Sequence, residues 1–502
     1  MTLRALRAEI AAVNDLLCAS SVLVWDSRTM MPKGGAAARG HQIAALIEAA
    51  RARLMGPATA RALEGALREV ESLPEDDAAV REVGAVRDAL AFHARIPADL
   101  LRAKAELRAA ANGAWIEARA LSRFDLFEPY LTRTVALARE YAAAIGGGGH
   151  PYDALIGLYE PGETVASLET LFAALREGIR PLLERAAARP APRLDVLRRS
   201  FPAERQRDFA AAIAARFGYD FDRGRLDFTV HPFEISFTRA DVRLTLRRAE
   251  TFDPPAIFGG FHEAGHGLYE QNVDEAYTRT ALATDLVGFY AVGGTSFGAH
   301  ESQSRLWENH VGRSPAFWAR HFADLQAAFP DALGDIDADA FHAAITHVRP
   351  GAIRTDADEL TYDLHIMLRV ELEARLIAGE IEARDIPEAW NAAMRRDLGV
   401  AVASDAMGCL QDIHWSSGMI GSFCTYTIGN VMAAQLFVSA MGDPGVRDGL
   451  EAGDYAPLHH WLRERVWRHG RRFSRDELLV RATGRALDPA PYLAHLAARY
   501  GA

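Results

Sequence analysis

The sequence predicts a mainly α-helical protein, two lobes around a groove, with one small antiparallel β-sheet beside a His-Glu-x-x-His helix. Two observations predict it. Long stretches rich in Ala, Leu, Arg and Glu carry apolar residues at helical spacing. One run alone alternates strictly: Asp241-Val242-Arg243-Leu244-Thr245-Leu246-Arg247. Val242, Leu244 and Leu246 share one face and the polar residues share the other, the pattern of a half-buried strand. With Leu226–Phe233 just upstream, it predicts a small sheet lying beside the helix that follows.

Residues 1–145 read as helices joined by short loops. The clearest loop is Trp25-Asp26-Ser27-Arg28-Thr29-Met30-Met31-Pro32-Lys33-Gly34-Gly35, marked by Pro32, Gly34 and Gly35. Gly146–Gly149 break the chain again. They lack the Lys-Ser/Thr of a phosphate loop, so they read as a turn. Leu168, Leu171, Phe172, Leu175, Ile179, Leu182 and Leu183 then form one helical stripe, with Pro181 inside it as an expected kink. After residue 250 helices resume, interrupted at Gly288–Gly298, Pro350-Gly351 and Ser416–Gly421. No internal repeat and no linker divides the 502 residues, which read as one domain.

Composition narrows the function. A net charge of −11 without a dense Lys/Arg block argues against nucleic acid and against an anionic membrane surface. The three cysteines, Cys18, Cys409 and Cys424, form no Cys-x-x-Cys spacing, so thiolate ligands and a disulfide framework are not expected. The apolar N-terminal run is broken by Asn14 and Asp15 and reads neither as a signal peptide nor as a membrane span. A reducing, cytoplasmic location is the expectation.

The chemistry centres on Phe258-Gly-Gly-Phe-His262-Glu263-Ala-Gly-His266-Gly-Leu-Tyr269. On a helix, His262 and His266 project from one face, roughly 6 Å apart along the axis. Two neutral imidazoles so placed can share one Zn²⁺. Glu263, about 100° around the helix, is badly placed as a ligand but well placed to hold an attacking water. A catalytic zinc needs a third protein ligand. Glu301 in His300-Glu301-Ser302-Gln303 is the favoured candidate, with Glu308 and Glu270 as competing carboxylates. His300 reads as an orienting or substrate-touching residue. The expected mechanism is peptide hydrolysis, with Glu263 taking the proton of the attacking water and passing it to the leaving amine. Tyr426 and His414 are both candidate donors to the oxyanion.

A carboxypeptidase would also need a fixed arginine for the terminal carboxylate. Arg243 and Arg354 are the candidates. The cluster Gly408-Cys-Leu-Gln411-Asp412-Ile-His414-Trp415 reads as a substrate-binding wall, because so many polar groups are costly to bury without partners.

These motifs together resemble the carboxypeptidase Taq family of zinc metallocarboxypeptidases. In order, the chain shows His231-Pro232-Phe233, Asp241-x-Arg243-x-Thr245, His262-Glu263-x-x-His266 and His300-Glu301-Ser302-Gln303. Ile353-Arg354-x-x-Ala357-Asp358 and Gly408-x-x-Gln411-Asp412-x-His414-Trp415 follow. The resemblance spans nearly the whole chain. It implies a large helical metallopeptidase fold with a deep narrow groove. The chain itself reads as an N-terminal helical lobe over roughly 1–220 and a catalytic part over roughly 221–502. The resemblance implies a homodimer that removes C-terminal residues from peptides with a free C-terminus. His262, His266 and Glu301 would hold Zn²⁺, with Co²⁺ a workable substitute, and Glu263 would be the base. His231, Arg243, His300, Arg354, Gln411, Asp412, His414 and Tyr426 would contact substrate. The chain departs from the family pattern at Glu234-Ile235-Ser236 and at Ser422 and Cys424. Two other functions compete: a zincin oligopeptidase cutting internal bonds, and a non-catalytic peptide-binding protein that kept the fold.

Overall fold

Helical periodicity governs most of the chain, and the computed structural model describes residues 2–252 and 254–501. The chain forms two compact units, each assembled from three segments. The first takes Met1–His93, Ala191–Ile345 and Met432–Asp488; the second takes Ala94–Pro190, Thr346–Val431 and Pro489–Ala502.

The first unit begins with α1 (Leu3–Thr29). Its Leu6, Ile10, Val13 and Leu17 recur at three- and four-residue spacing and pack into a core with Leu54, Leu63, Val83 and Val86. By length and composition this helix could cross a membrane, which the broken apolar run did not suggest. In the fold its apolar stripe is core, and Asn14 within that stripe donates from Nδ2 to Thr284 Oγ1 at 2.8 Å.

Further on, α2 (Ala203–Phe217) leads into three strands: β1 (Gly224–Thr229), β2 (Glu234–Thr238) and β3 (Asp241–Arg247). Their order is β1-β3-β2. The sheet is mixed, which corrects the antiparallel expectation: β2 pairs antiparallel with β3, but β1 pairs parallel with it. The reason is burial. Val242, Leu244 and Leu246 are all 0 % exposed, so β3 takes the centre, inserted between β1 and β2. Alternation fixes a strand and its buried face, but not the order of its neighbours. Thr245, on the other face, is buried too, because its hydroxyl serves the backbone N–H and C=O of Phe233.

The sheet supports α3 (Pro254–Gln271), which carries the His-Glu-x-x-His motif. Phe258, Phe261, Leu268 and Tyr269 are buried and seat the helix in a large aromatic core with Phe217, Trp307, Phe317 and Trp318. Two glycines let α3 pack closely against its neighbours. A Cβ at Gly267 would lie 2.9 Å from Leu244 Cδ2 of β3, and one at Gly265 would lie 2.5 Å from the Gln303 carbonyl oxygen. Gln303 belongs to α4 (Phe297–Arg305), whose N-cap Ser296 accepts the Ala299 N–H. This helix continues as a π-helical stretch, Leu306–Gly312.

In the second unit, α5 (Glu359–Ala378) starts at the Asp358 cap and ends at Gly379 in the left-handed region. It buries an unusual set of polar groups: Tyr362, Asp363, His365, Arg369 and Glu373. The helix Val165–Ala187 buries Leu168, Phe172, Leu175, Ile179 and Leu182 of the expected stripe, with Pro181 inside it.

Candidate metal centre

Helix α3 sets His262 and His266 one turn apart, with ring centroids 5.0 Å from each other. Helix α4 brings Glu301 to meet them. His262 Nε2 lies 3.5 Å and His266 Nε2 lies 3.4 Å from the same atom, Glu301 Oε2. Three donor atoms held by a tetrahedral Zn²⁺ at about 2.0–2.2 Å would stand roughly 3.4 Å apart. The residues therefore fit a cation, and the three ligand atoms all lie within 4.8 Å of one another. Among the described residues this is the one His/Cys/Asp/Glu group so arranged.

The far side of each imidazole is also held. His262 Nδ1 is 2.9 Å from Glu308 Oε2, and His266 Nδ1 is 2.5 Å from His300 Nδ1. His300 Nε2 in turn meets Glu270 Oε1 at 2.9 Å. With both Nε2 atoms kept as acceptors, one set of tautomers satisfies the whole chain. His262 donates to Glu308, His266 donates to His300, and His300 donates to Glu270. Glu270 also accepts the N–H groups of Gly293 and Gly294. It thus serves as an anchor for His300. Glu308 is clamped by Arg313 at 3.1 Å. Arg305 Nε donates to the second oxygen of Glu301 at 2.7 Å, and Ser304 Oγ donates to Oε2 at 3.2 Å, the oxygen that faces both imidazoles.

Burial and charge set the protonation states. Burial pulls His266 down to about 3, so its ring is neutral. Burial pushes Glu301 up, but Arg305, His262 and His266 outweigh it and hold the carboxyl well below its usual range. Glu263 is different. Burial, then Glu234, Glu301 and Glu308, raise it to about 8 against the opposing effect of His262. No described residue hydrogen-bonds its carboxyl, which is 6 % exposed. A nearly buried carboxyl without a protein partner is costly unless a ligand uses it.

The second unit gathers a separate cluster. Arg354 sends Nε and NH2 to Asp412 Oδ1 at 3.1 and 2.8 Å, and NH1 to the Tyr362 hydroxyl at 3.0 Å. Gln411 Oε1 accepts the Arg354 N–H at 2.8 Å. His414 Nε2 lies 3.2 Å from the Tyr426 hydroxyl, while its Nδ1 is buried without a partner. Asp412 lies 4.0 Å from that Nδ1, so it orients arginines and not the imidazole. Burial pulls His414 down to about 4, so the ring is neutral.

The expected site residues thus fall into two groups. His231, Arg243, His262, Glu263, His266, His300 and Glu301 belong to the first unit; Arg354, Gln411, Asp412, His414 and Tyr426 belong to the second. His231 is exposed, in the turn between β1 and β2. Arg243 is bound at both Nε and NH2 by Asp241, between the rings of Trp25 and Phe237. Sequence reasoning missed Arg369 and Glu373, and it read Glu308 and Glu270 only as rival ligands. A signal was present: His365, Arg369 and Glu373 recur every four residues, along one face of a helix whose other neighbours there include Ile366, Met367, Leu368 and Leu372.

The family described as carboxypeptidase Taq (M32) metallopeptidase matches residues 5–500. Thermostable carboxypeptidase 1 of Thermus thermophilus is 41% identical over 498 residues, covering 96% of this chain and 95% of that protein. Carboxypeptidase 1 of Bacillus subtilis is 37% identical, covering 96% of this chain and 94% of its own. The crystal structure of the M32 carboxypeptidase from Deinococcus radiodurans superposes with a TM-score of 0.92 at 40% identity, covering 99% and 98% of the two chains.

Proposed function

The chain belongs to the carboxypeptidase Taq (M32) metallopeptidase family and is a metal-dependent carboxypeptidase; we propose how its residues divide that work. The oligopeptidase reading is not favoured, since the relatives are named carboxypeptidases. His262, His266 and Glu301 hold the cation. It is Zn²⁺, with Co²⁺ able to replace it, because two imidazoles and one carboxylate oxygen suit a tetrahedral borderline ion. When bound, the cation acidifies water and polarises a peptide carbonyl. Glu263 takes the proton of the attacking water and delivers it to the departing amine. The observation that carries this reading is the convergence of two Nε2 atoms on one oxygen of Glu301, at 3.5 and 3.4 Å.

Arg354 binds the terminal carboxylate of the peptide. Of the two candidate arginines it is the better supported. Asp241 alone balances Arg243, whereas Arg354 shares Asp412 with Arg369, which leaves one positive charge over. His231, Arg243, His300, Gln411, Asp412, His414 and Tyr426 make or shape further substrate contacts, and one of His414 and Tyr426 donates to the oxyanion. The chain works as one metallocarboxypeptidase domain, as a cytoplasmic homodimer, without membrane or nucleic acid.

The test uses one peptide as free acid and as C-terminal amide, incubated with protein of assayed metal content, with products followed by mass. Stepwise loss of single residues from the free acid, abolished by a chelator, is the expected result. Internal cleavage of both forms would remove the carboxylate assignment. Cobalt or another ion in the purified protein would replace zinc in it.

A further inference from the structure

The carboxylate assignment leaves one feature of the second unit unexplained. Arg369 is 0 % exposed, so no substrate touches it, yet it is a charged group with every arm engaged. Its Nε donates to Asp412 Oδ2 at 2.7 Å, and NH2 lies 2.6 Å from the same oxygen. NH2 also reaches Gln411 Oε1 at 2.8 Å, and NH1 reaches the His365 carbonyl at 2.6 Å. The guanidinium lies over the Trp390 ring at 4.5 Å. Asp412 and Gln411 are the two residues that hold Arg354, through its side chain and its backbone N–H.

Asp412 therefore stands between two guanidiniums, with Oδ1 given to Arg354 and Oδ2 to Arg369. Two consequences follow. Arg369 fixes the plane of the Asp412 carboxylate, and with it the direction of the Arg354 fork. It also alters the charge. Arg354 and Asp412 alone would be neutral, whereas the trio carries a net charge of one positive unit beside a neutral His414. A neutral pair has little attraction for a second carboxylate; a buried surplus cation has much.

We propose that Arg369 is a positioning residue that sets Arg354 for the substrate's terminal carboxylate through Asp412 and Gln411. This rests on the reading of Arg354 as the carboxylate-binding arginine. Helix α5 supplies the frame. Glu373, one turn beyond Arg369, accepts from Trp415 Nε1 at 2.8 Å and from the Gly421 N–H at 2.8 Å. One face of a single helix thus grips the 411–421 segment at both ends.

The experiment compares Arg369→Lys and Arg369→Gln with wild type, full-length and metal-loaded. Lys keeps the charge but lacks the fork; Gln lacks both. KM and kcat are measured on a free-acid peptide, and inhibition constants are measured for a free-acid dipeptide and its amide. The expected result is a KM raised roughly tenfold or more, with kcat changed by less than about threefold. The free-acid dipeptide weakens as an inhibitor and its amide does not, with Gln more affected than Lys. Melting curves and metal content select the folded variants, and either variant alone carries the test. Wild-type KM in a folded variant, or equal weakening of acid and amide, would overturn the proposal. Arg354→Ala is run in parallel: acid preference that survives it sinks the carboxylate assignment itself, not merely the role of Arg369.

Discussion

His262 Nδ1 stands 2.9 Å from Glu308 Oε2, a pairing made across 46 residues of chain. Glu308 lies beside the three atoms proposed to face the metal without being one of them. If His262 holds a metal as proposed, Glu308 fixes the tautomer and tilt of its ring. Glu308→Gln is expected to lower metal affinity roughly 10- to 100-fold. Competition with a chelating dye measures this, and unchanged affinity would remove Glu308 from the account.

Glu263→Gln should separate binding from chemistry. The amide keeps the shape but cannot take up a proton. Metal content should match wild type, while kcat falls about 10²- to 10⁴-fold. Turnover within a few-fold of wild type would show that another group moves the proton.

Arg354→Ala should lower kcat/KM for free-acid peptides about 10- to 100-fold, the worth of charge-assisted hydrogen bonds. The already slow amide peptide should change little. Parallel losses on both would point to damage of the 405–424 segment.

Gly265→Ala tests how closely α3 and α4 must approach. The added Cβ would meet the Gln303 carbonyl oxygen at 2.5 Å and the Ser304 Cα at 2.6 Å, and neither is a flexible side chain. A loss of about 1–3 kcal/mol in stability is expected, with weaker metal binding as α4 is pushed away. Wild-type melting temperature and metal affinity together would contradict the packing described.

Glu373→Gln carries a pH signature. Burial raises this carboxyl to about 7 from its usual 4.5. The unfolded chain therefore loses that proton first, and the folded state holds more protons in between. Its contribution to stability is present below about 4.5 and fades as pH rises toward 7. The difference in melting temperature between wild type and variant should shrink in wild type's disfavour across that window and level off above it. A pH-independent difference would show that Glu373 is ionised throughout.

How much of this could be read beforehand depends on sequence distance. His262 and His266 share a helix face, so periodicity alone predicts their meeting. Val242, Leu244 and Leu246 announce a strand for the same reason. The partners of these elements lie elsewhere. Nothing local says that β1 should run parallel to β3, or that Glu308 should grip His262. Arg369 shows the limit best. Its partners, Gln411 and Asp412, are 42 and 43 residues away. Asp358 stands only four residues from Arg354 in the chain, yet it caps α5, and the counter-ion of Arg354 lies 58 residues on.

The threading of the chain has a consequence for how the protein is made. The first unit needs Met432–Asp488 before it is complete, and the second needs Pro489–Ala502. A ribosome finishes Glu301, the last of the three residues proposed to hold the metal, long before either unit has its final segment. The core around α1 has all its parts by Ala291, but the aromatic core around α3 lacks its Met432–Ala482 members until late, so those helix faces wait unburied. Synthesis should be the vulnerable stage in the life of this enzyme, and a nascent chain stalled before residue 432 should depend on chaperones.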